Sequence, residues 1–193
     1  MPRGNQGFDE RRAAMAEAAG RLLRDEGPGA VTHRRVAIEA GIPVGSANHL
    51  YRTRAELYQA AVESAEAERY AAAAELVAGL PERIEELGEV ARLLLVAWYS
   101  PGHPEELLAM RVEPMLLAAM DPATRDIMHR TKAQLAPLLD EIVVRGGLGG
   151  TPIADLVPDL ALGAITHAAT SGADDVMAEA TAALTRILEV LRD

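Results

Sequence analysis

Between Val31 and Arg54 the chain places four arginines (34, 35, 52 and 54) and two histidines (33 and 49) against a single acid, Glu39. Guanidinium and imidazole groups at that density suit phosphate oxygens and base edges, although a merely solvated helix face has the same composition. The surrounding stretch, THRRVAIEAGIPVGSANHLYRTRAEL from Thr32 to Leu57, decides between the two readings by its pattern. Val36, Ala37 and Ala40 form the inner face of a short helix, and Ala37 is small enough for a second helix to cross close above it. Gly41 supplies a left-handed turn residue. Ile42, Ala47 and Leu50 then fill the buried side of a second short helix, which leaves Val44, Gly45, Ser46, Asn48 and His49 pointing outward. These small or hydrogen-bonding groups on an exposed helix are what entry into a DNA major groove requires, and the arrangement is a helix-turn-helix.

The elements that must position this stretch read as helices throughout. Strand-like alternation is missing, and Gly or Pro recurs at intervals that suit helix ends. The first helix is predicted from about 10 to 26, with Met15, Ala18, Ala19, Leu22 and Leu23 at helical spacing and Gly27-Pro28-Gly29 ending it. Thr32 caps a helix over 33–40, and Pro43 opens one over 43–50. Thr53, with Glu56 three residues on, caps a long helix to about 78. Further helices are predicted at 82–99, 104–120, 122–145, 152–171 and 174–192. The fold class is therefore all-α with about nine helices: an N-terminal three-helix helix-turn-helix DNA-binding domain over 1–53, and a helical ligand-binding and dimerisation domain over 54–193.

A length of 193 residues allows one ordinary domain or two small ones, and such a chain can bury a core without staples. Hydrophobic residues at 49% and charged residues at 25% exclude wholesale disorder. The absence of cysteine removes disulfides, thiolate zinc sites and cysteine nucleophiles together. The start, MPRGNQGFDERR, offers no apolar core of a leader, and no stretch offers eighteen uninterrupted apolar residues. The expectation is a cytoplasmic protein with no membrane partner. The net charge of −10 would argue against nucleic acid, but it conceals an asymmetry: residues 1–60 carry nine arginines and seven acids, and the remainder ten basic and twenty-two acidic groups.

The helix-turn-helix stretch resembles the TetR family of one-component transcriptional regulators. The resemblance rests on Thr32, Val36-Ala37, Ala40-Gly41-Ile42-Pro43, Gly45-Ser46, His49, Tyr51, Thr53-Arg54 and Glu56-Leu57, and covers residues 10–58. Beyond residue 60 it is only architectural. The chain departs from the family pattern at Asn48, where a tyrosine is common, at Leu50 and Tyr51, at Val44, often a lysine, and at Arg54, which keeps the charge of another. The resemblance implies that Thr32, His33 and Arg34 contact one phosphate strand and Tyr51 and Arg54 the other. Ser46, Asn48 and His49 would then read bases, with Val44 beside them and Gly45 allowing close backbone approach. Asn48 suits the bidentate contact to adenine N6 and N7. Tyr51 serves equally well as core.

Two segments of the acidic remainder look like a dimer seam or an ordinary internal core: Leu156, Leu160, Ala164 and His167 on one helix, Leu184, Ile187, Leu188 and Leu191 on the next. A homodimer has a functional reason, since two recognition helices about 34 Å apart read both halves of a palindromic operator. Between the long helix and the seam, Trp98, Tyr99, His103, Met110, Arg111, Met115 and Met128 are candidates for an effector pocket, with plain bundle core as the other reading.

No cofactor is expected, nor any metal, because the five histidines are scattered and none has a second histidine four residues away on a helix. The glycine-rich RGGLGG at 145–150 lacks the lysine and hydroxyl of a phosphate loop and reads as a connector. Nothing arranges a nucleophile, base and orienting acid, so the chain is not expected to be an enzyme. The reading is a ligand-responsive transcriptional regulator, most simply a repressor, that binds double-stranded DNA and leaves it when a small apolar or amphipathic effector binds. The alternative is a helical small-molecule-binding or adaptor protein without DNA binding.

Overall fold

The structure is a computed structural model and describes residues 3–99, 116 and 120–192. Its described residues form eight α-helices and no strand. Helix α1 (Arg3–Glu26) buries Met15, Ala18, Ala19, Leu22 and Leu23, the apolar positions three and four apart that fall on one face. It begins earlier than the predicted residue 10; the polar first turns carry no apolar stripe from which to read them. At Gly27 the backbone turns left-handed (φ 82°), and a single 3-10 turn, Pro28–Ala30, leads into the next segment. Helix α2 (His33–Glu39) is capped by Thr32, whose side chain accepts from the Arg35 amide at 3.3 Å. Gly41 has φ 67°, the conformation the turn requires. Pro43 lies one residue outside α3 (Val44–Leu50), not in its first turn as predicted. Its ψ of 127° is extended, and its carbonyl accepts from the Ser46 amide at 2.8 Å.

Helix α4 runs Arg54–Ala78, with the Thr53 hydroxyl accepting from the Glu56 amide at 3.1 Å and the Glu56 carboxylate accepting from the Arg52 amide at 2.8 Å. The remaining helices are α5 (Leu87–Tyr99), α6 (Pro122–Arg145), α7 (Ile153–Thr170) and α8 (Val176–Arg192). Helix α5 starts later than the predicted 82. The Ile84 amide bonds the Arg145 carbonyl at 2.9 Å, tying that stretch to the end of α6 before Glu86 accepts the first helical bonds of α5. The predicted helix at 104–120 lies outside the described residues, apart from Leu116 and Met120.

The chain divides into two compact units, with the boundary inside α4 between Glu68 and Arg69. One comprises the chain to Glu68 with 120–129, around a core of Met15, Leu22, Val36, Ala37, Leu50, Tyr51, Leu57 and Ile127. Here α1 and α4 pack very closely: a Cβ on Gly20 would stand 2.8 Å from Ser64 Oγ. The other unit holds the rest of α4, most of α6, and α5, α7 and α8, around Leu94, Leu95, Tyr99, Leu139, Ile142, Ile165 and Leu184. Within it the Arg145 guanidinium bonds the Leu80 carbonyl at 2.7 Å and Glu141 at 2.7 Å, closing the end of α4 against the end of α6.

Candidate nucleic-acid interface

The two faces of α3 separate cleanly. Ala47 and Leu50 are buried against the first unit's core, while Val44, Gly45, Asn48 and His49 are exposed and Ser46 is half-buried. A Cβ added at Gly45 would meet nothing within 4 Å, so the helix surface there is open. Among the described residues, the side chains of Ser46, Asn48 and His49 have no protein partner. Arg34 and Arg52 are likewise exposed and unpaired. The helix thus presents donors and acceptors that nothing in the first unit uses.

Three side chains hold this helix by its far end. Tyr51 is 3% exposed, and its hydroxyl donates to the Arg12 carbonyl at 3.1 Å. The Arg12 guanidinium lies 4.2 Å from the centre of the Tyr51 ring and donates to the Leu50 carbonyl, placing a cation at the negative end of α3. His33 Nε2 bonds the Tyr51 carbonyl at 2.8 Å, which joins the start of α2 to the same turn. Burial raises the Tyr51 phenol above its ordinary range, the nearby Arg12 charge opposes the rise, and Glu63 adds to it.

Of the residues predicted at phosphates, Tyr51 spends its hydroxyl inside the protein and His33 one of its two ring nitrogens. Tyr51 is core, because its ring fills the corner between α1 and α3 and its hydroxyl is used internally. His33 spends one ring nitrogen on the Tyr51 carbonyl. Thr32 accepts a backbone amide and is half-buried. Arg54 is exposed but leans over the 3-10 turn, with long contacts of 3.4 Å to the Val31 carbonyl and 3.5 Å to that of Pro28. Arg35 pairs with Glu26 at 2.6 Å. Sequence reasoning missed Arg12, whose partners lie 38 and 39 residues away. It also missed a recess of about 370 Å³ beside α3, lined by Phe8, Arg12, His49, Leu50, Arg52 and Glu56.

Solved structures resemble this chain over nearly its whole length. The multidrug-binding protein EbrR, in complex with proflavin, is 25% identical, with a TM-score of 0.64 over 92% of this chain and 99% of that one. A TetR transcription regulator from Haloarcula marismortui matches with a TM-score of 0.63 at 18% identity, over 96% and 97%. A TetR-family member from Streptomyces coelicolor A3 matches with a TM-score of 0.58 at 24% identity, over 92% and 98%. The fold is that of the TetR family of transcriptional regulators. No protein-family model and no curated protein sequence matches the chain.

In this TetR fold the other predicted sites fare unequally. Trp98 and Tyr99 are buried in the second unit, at 8% and 1% exposure. Arg69, itself buried, donates to the Trp98 carbonyl at 2.7 Å and lies 5.1 Å from the indole ring. A buried arginine here was not foreseen; nothing in the spacing of α4 marks position 69 as interior. Met128 packs against the core of the first unit. His103, Met110, Arg111 and Met115 lie outside the described residues. Of the predicted seam, Leu184 and Leu188 are fully buried in their own unit, and Leu160 and Ala164 pack partly against the same core. For Leu184 and Leu188, of the two readings, the burial favours internal core. Leu156 (43%), Ile187 (36%) and Leu191 (37%) are exposed, as is His167. Among the described residues no three His, Asp or Glu side chains gather as metal ligands, and no helix is long and apolar enough to cross a membrane.

Proposed function

We propose that this chain is a ligand-responsive DNA-binding transcriptional regulator that represses by occupying a palindromic operator as a homodimer. Residues 1–53 are its reading head and 54–193 its sensing and dimerising body. The observation that carries the reading is α3: a short exposed helix whose Ser46, Asn48 and His49 have no partner among the described residues, with Arg34, Arg52 and Arg54 exposed nearby. Exposed polar side chains are ordinarily hydrated; what sets this group apart is its place on the outer face of one short helix beside exposed arginines, where the major groove offers complementary base edges and phosphates flank it on both sides. Arg34 and Arg54 are the phosphate contacts in this reading; Asn48 and His49, with Ser46 half-shielded, read bases.

The exposed Leu156, Ile187, Val190 and Leu191 on α7 and α8 support self-association, since a two-fold axis would bring such an apolar patch against the same patch of a second copy. The effector is a small apolar or amphipathic molecule. The multidrug-binding EbrR, with proflavin bound, shares the fold, and this supports a ligand-accepting body here. Binding would favour the dimer form whose reading heads are wrongly spaced, a coupling of typically ~1–3 kcal/mol.

The test is selection of binding sites from a random DNA library, followed by titration of the recovered duplex. The expected result is an inverted repeat with centres about 34 Å apart. Asn48→Ala should cost roughly 1–3 kcal/mol on that duplex and nothing on random DNA. Failure to bind any duplex at low salt would leave a helical small-molecule-binding or adaptor protein.

A further inference from the structure

We propose that Val44 reads the C5-methyl group of a thymine and so fixes a base pair that the polar side chains of α3 do not. The inference rests on the DNA-binding reading above. Val44 is 46% exposed and shares the outward side of α3 with Asn48, one helical turn on; Ala47 and Leu50 on the other side occupy the core. It is the one large aliphatic group on that outward side.

Its setting narrows what can cover it. Between Val31 and Arg54 the only acid is Glu39, and Arg34, Arg52 and Arg54 are exposed. The complementary surface is therefore anionic overall yet carries an apolar group at one point. Phosphates, sugars and most base edges are polar; the thymine methyl is the apolar feature that the major groove displays. Gly45 beside it carries no side chain, and a Cβ there would meet nothing within 4 Å, so the surface next to the valine is open. Four residues along a helix advance about 6 Å, and base pairs are stacked 3.4 Å apart, so the thymine read by Val44 lies within about two base pairs of the base read by Asn48.

The experiment uses the full chain and the selected duplex. Each thymine in turn is replaced by deoxyuridine, which keeps every hydrogen-bonding group and lacks only the methyl, and affinities are measured by fluorescence anisotropy. With the wild type, one thymine in each half-site should lose about fourfold in affinity, the worth of one buried methyl group. In Val44→Ala that loss should vanish, while the fold is kept because the side chain is exposed; an unchanged melting temperature checks this. Ile38→Ala is the control, since Ile38 is more exposed still, at 64%, but stands on α2 and should leave the scan unaltered. The proposal is overturned if no thymine is sensitive, if the sensitivity persists in Val44→Ala, as an effect of duplex stiffness would, or if Ile38→Ala abolishes it. A wild-type protein that bound no duplex would instead remove the DNA-binding reading itself, and the inference with it.

Discussion

Arg12 and Tyr51 touch twice, through different atoms, and this leads to an unusual expectation for a double-mutant cycle. Tyr51→Phe removes the hydroxyl that donates to the Arg12 carbonyl but keeps the ring beneath the guanidinium. Arg12→Ala removes the guanidinium, with its ring contact and its bond to the Leu50 carbonyl, but keeps the backbone carbonyl that the hydroxyl uses. A buried hydroxyl bond contributes about 1 kcal/mol. The guanidinium is exposed, so its ring contact is worth ~0.5–1 kcal/mol and its bond at the helix end, screened by solvent, about as much again. The expected losses are about 1 kcal/mol for Tyr51→Phe and about 1–2 kcal/mol for Arg12→Ala. Residues in contact ordinarily couple, yet here the double variant should equal the sum within about 0.5 kcal/mol. Urea denaturation of the four proteins at constant slope measures this. A coupling above about 1 kcal/mol would refute the assignment of the two contacts to separate atoms. Alkali gives a second readout. The folded Tyr51 phenol is held above its ordinary value, so above pH ~10 the unfolded chain loses that proton while the folded one keeps it, and stability falls as pH rises. Tyr51→Phe lacks this fall, so its deficit against the wild type should shrink through that range.

Gly20→Ala should destabilise the first unit by about 1–3 kcal/mol, because its Cβ would stand 2.8 Å and 2.9 Å from Ser64 Oγ and Cβ and 3.2 Å from the Ala65 amide; a denaturation midpoint unchanged from the wild type would show that α1 and α4 can part without cost. Ile187→Asp places a charge in the exposed apolar strip of α8 without disturbing the core; sedimentation should show a dimer for the wild type and a monomer for the variant, at equal helicity. The salt dependence of operator binding should be modest: Arg34 and Arg54 from each of two subunits give a slope of log K against log salt near −4, and Arg54→Ala should flatten it by about 1 per subunit. A slope near −10 would mean that cations now paired inside the protein also reach phosphates.

That last expectation shows where a sequence misleads. Counted along the chain, the first 60 residues hold nine arginines, and their density alone suggests a broad basic surface. The structure spends several of them at home: Arg12 on Tyr51 and Leu50, Arg21 on Glu39, Arg24 on Asp25 and Glu68, Arg35 on Glu26. Charge is legible in a sequence, but whether a charge is free depends on partners that folding brings from up to 44 residues away. The same limit accounts for His33 and Tyr51, which bond backbone carbonyls 18 and 39 residues distant. By contrast, Thr32, Gly41 and Thr53 act within three or four residues of themselves, so their roles could be read directly, and α4 and α6 begin and end at the predicted residues. Even Pro137 and Pro158, which remove a helical hydrogen bond each, do not end α6 or α7, since the apolar stripes on either side continue in phase and packing outweighs the local cost.

The α8 stripe was legible but its division was not. Leu184, Ile187, Leu188 and Leu191 fall at i, i+3, i+4 and i+7, a stripe wide enough to cover two neighbouring surfaces, and periodicity contains nothing that assigns each residue to one of them. In the structure α8 packs on α5 and α7, which takes Leu184 and Leu188 to zero exposure and leaves Ile187 and Leu191 outside. A helix that must fill its own core and still present an apolar edge needs this broader stripe. The breadth of the stripe is what a second apolar surface on α8 would use, and Ile187→Asp is the substitution that tests for one.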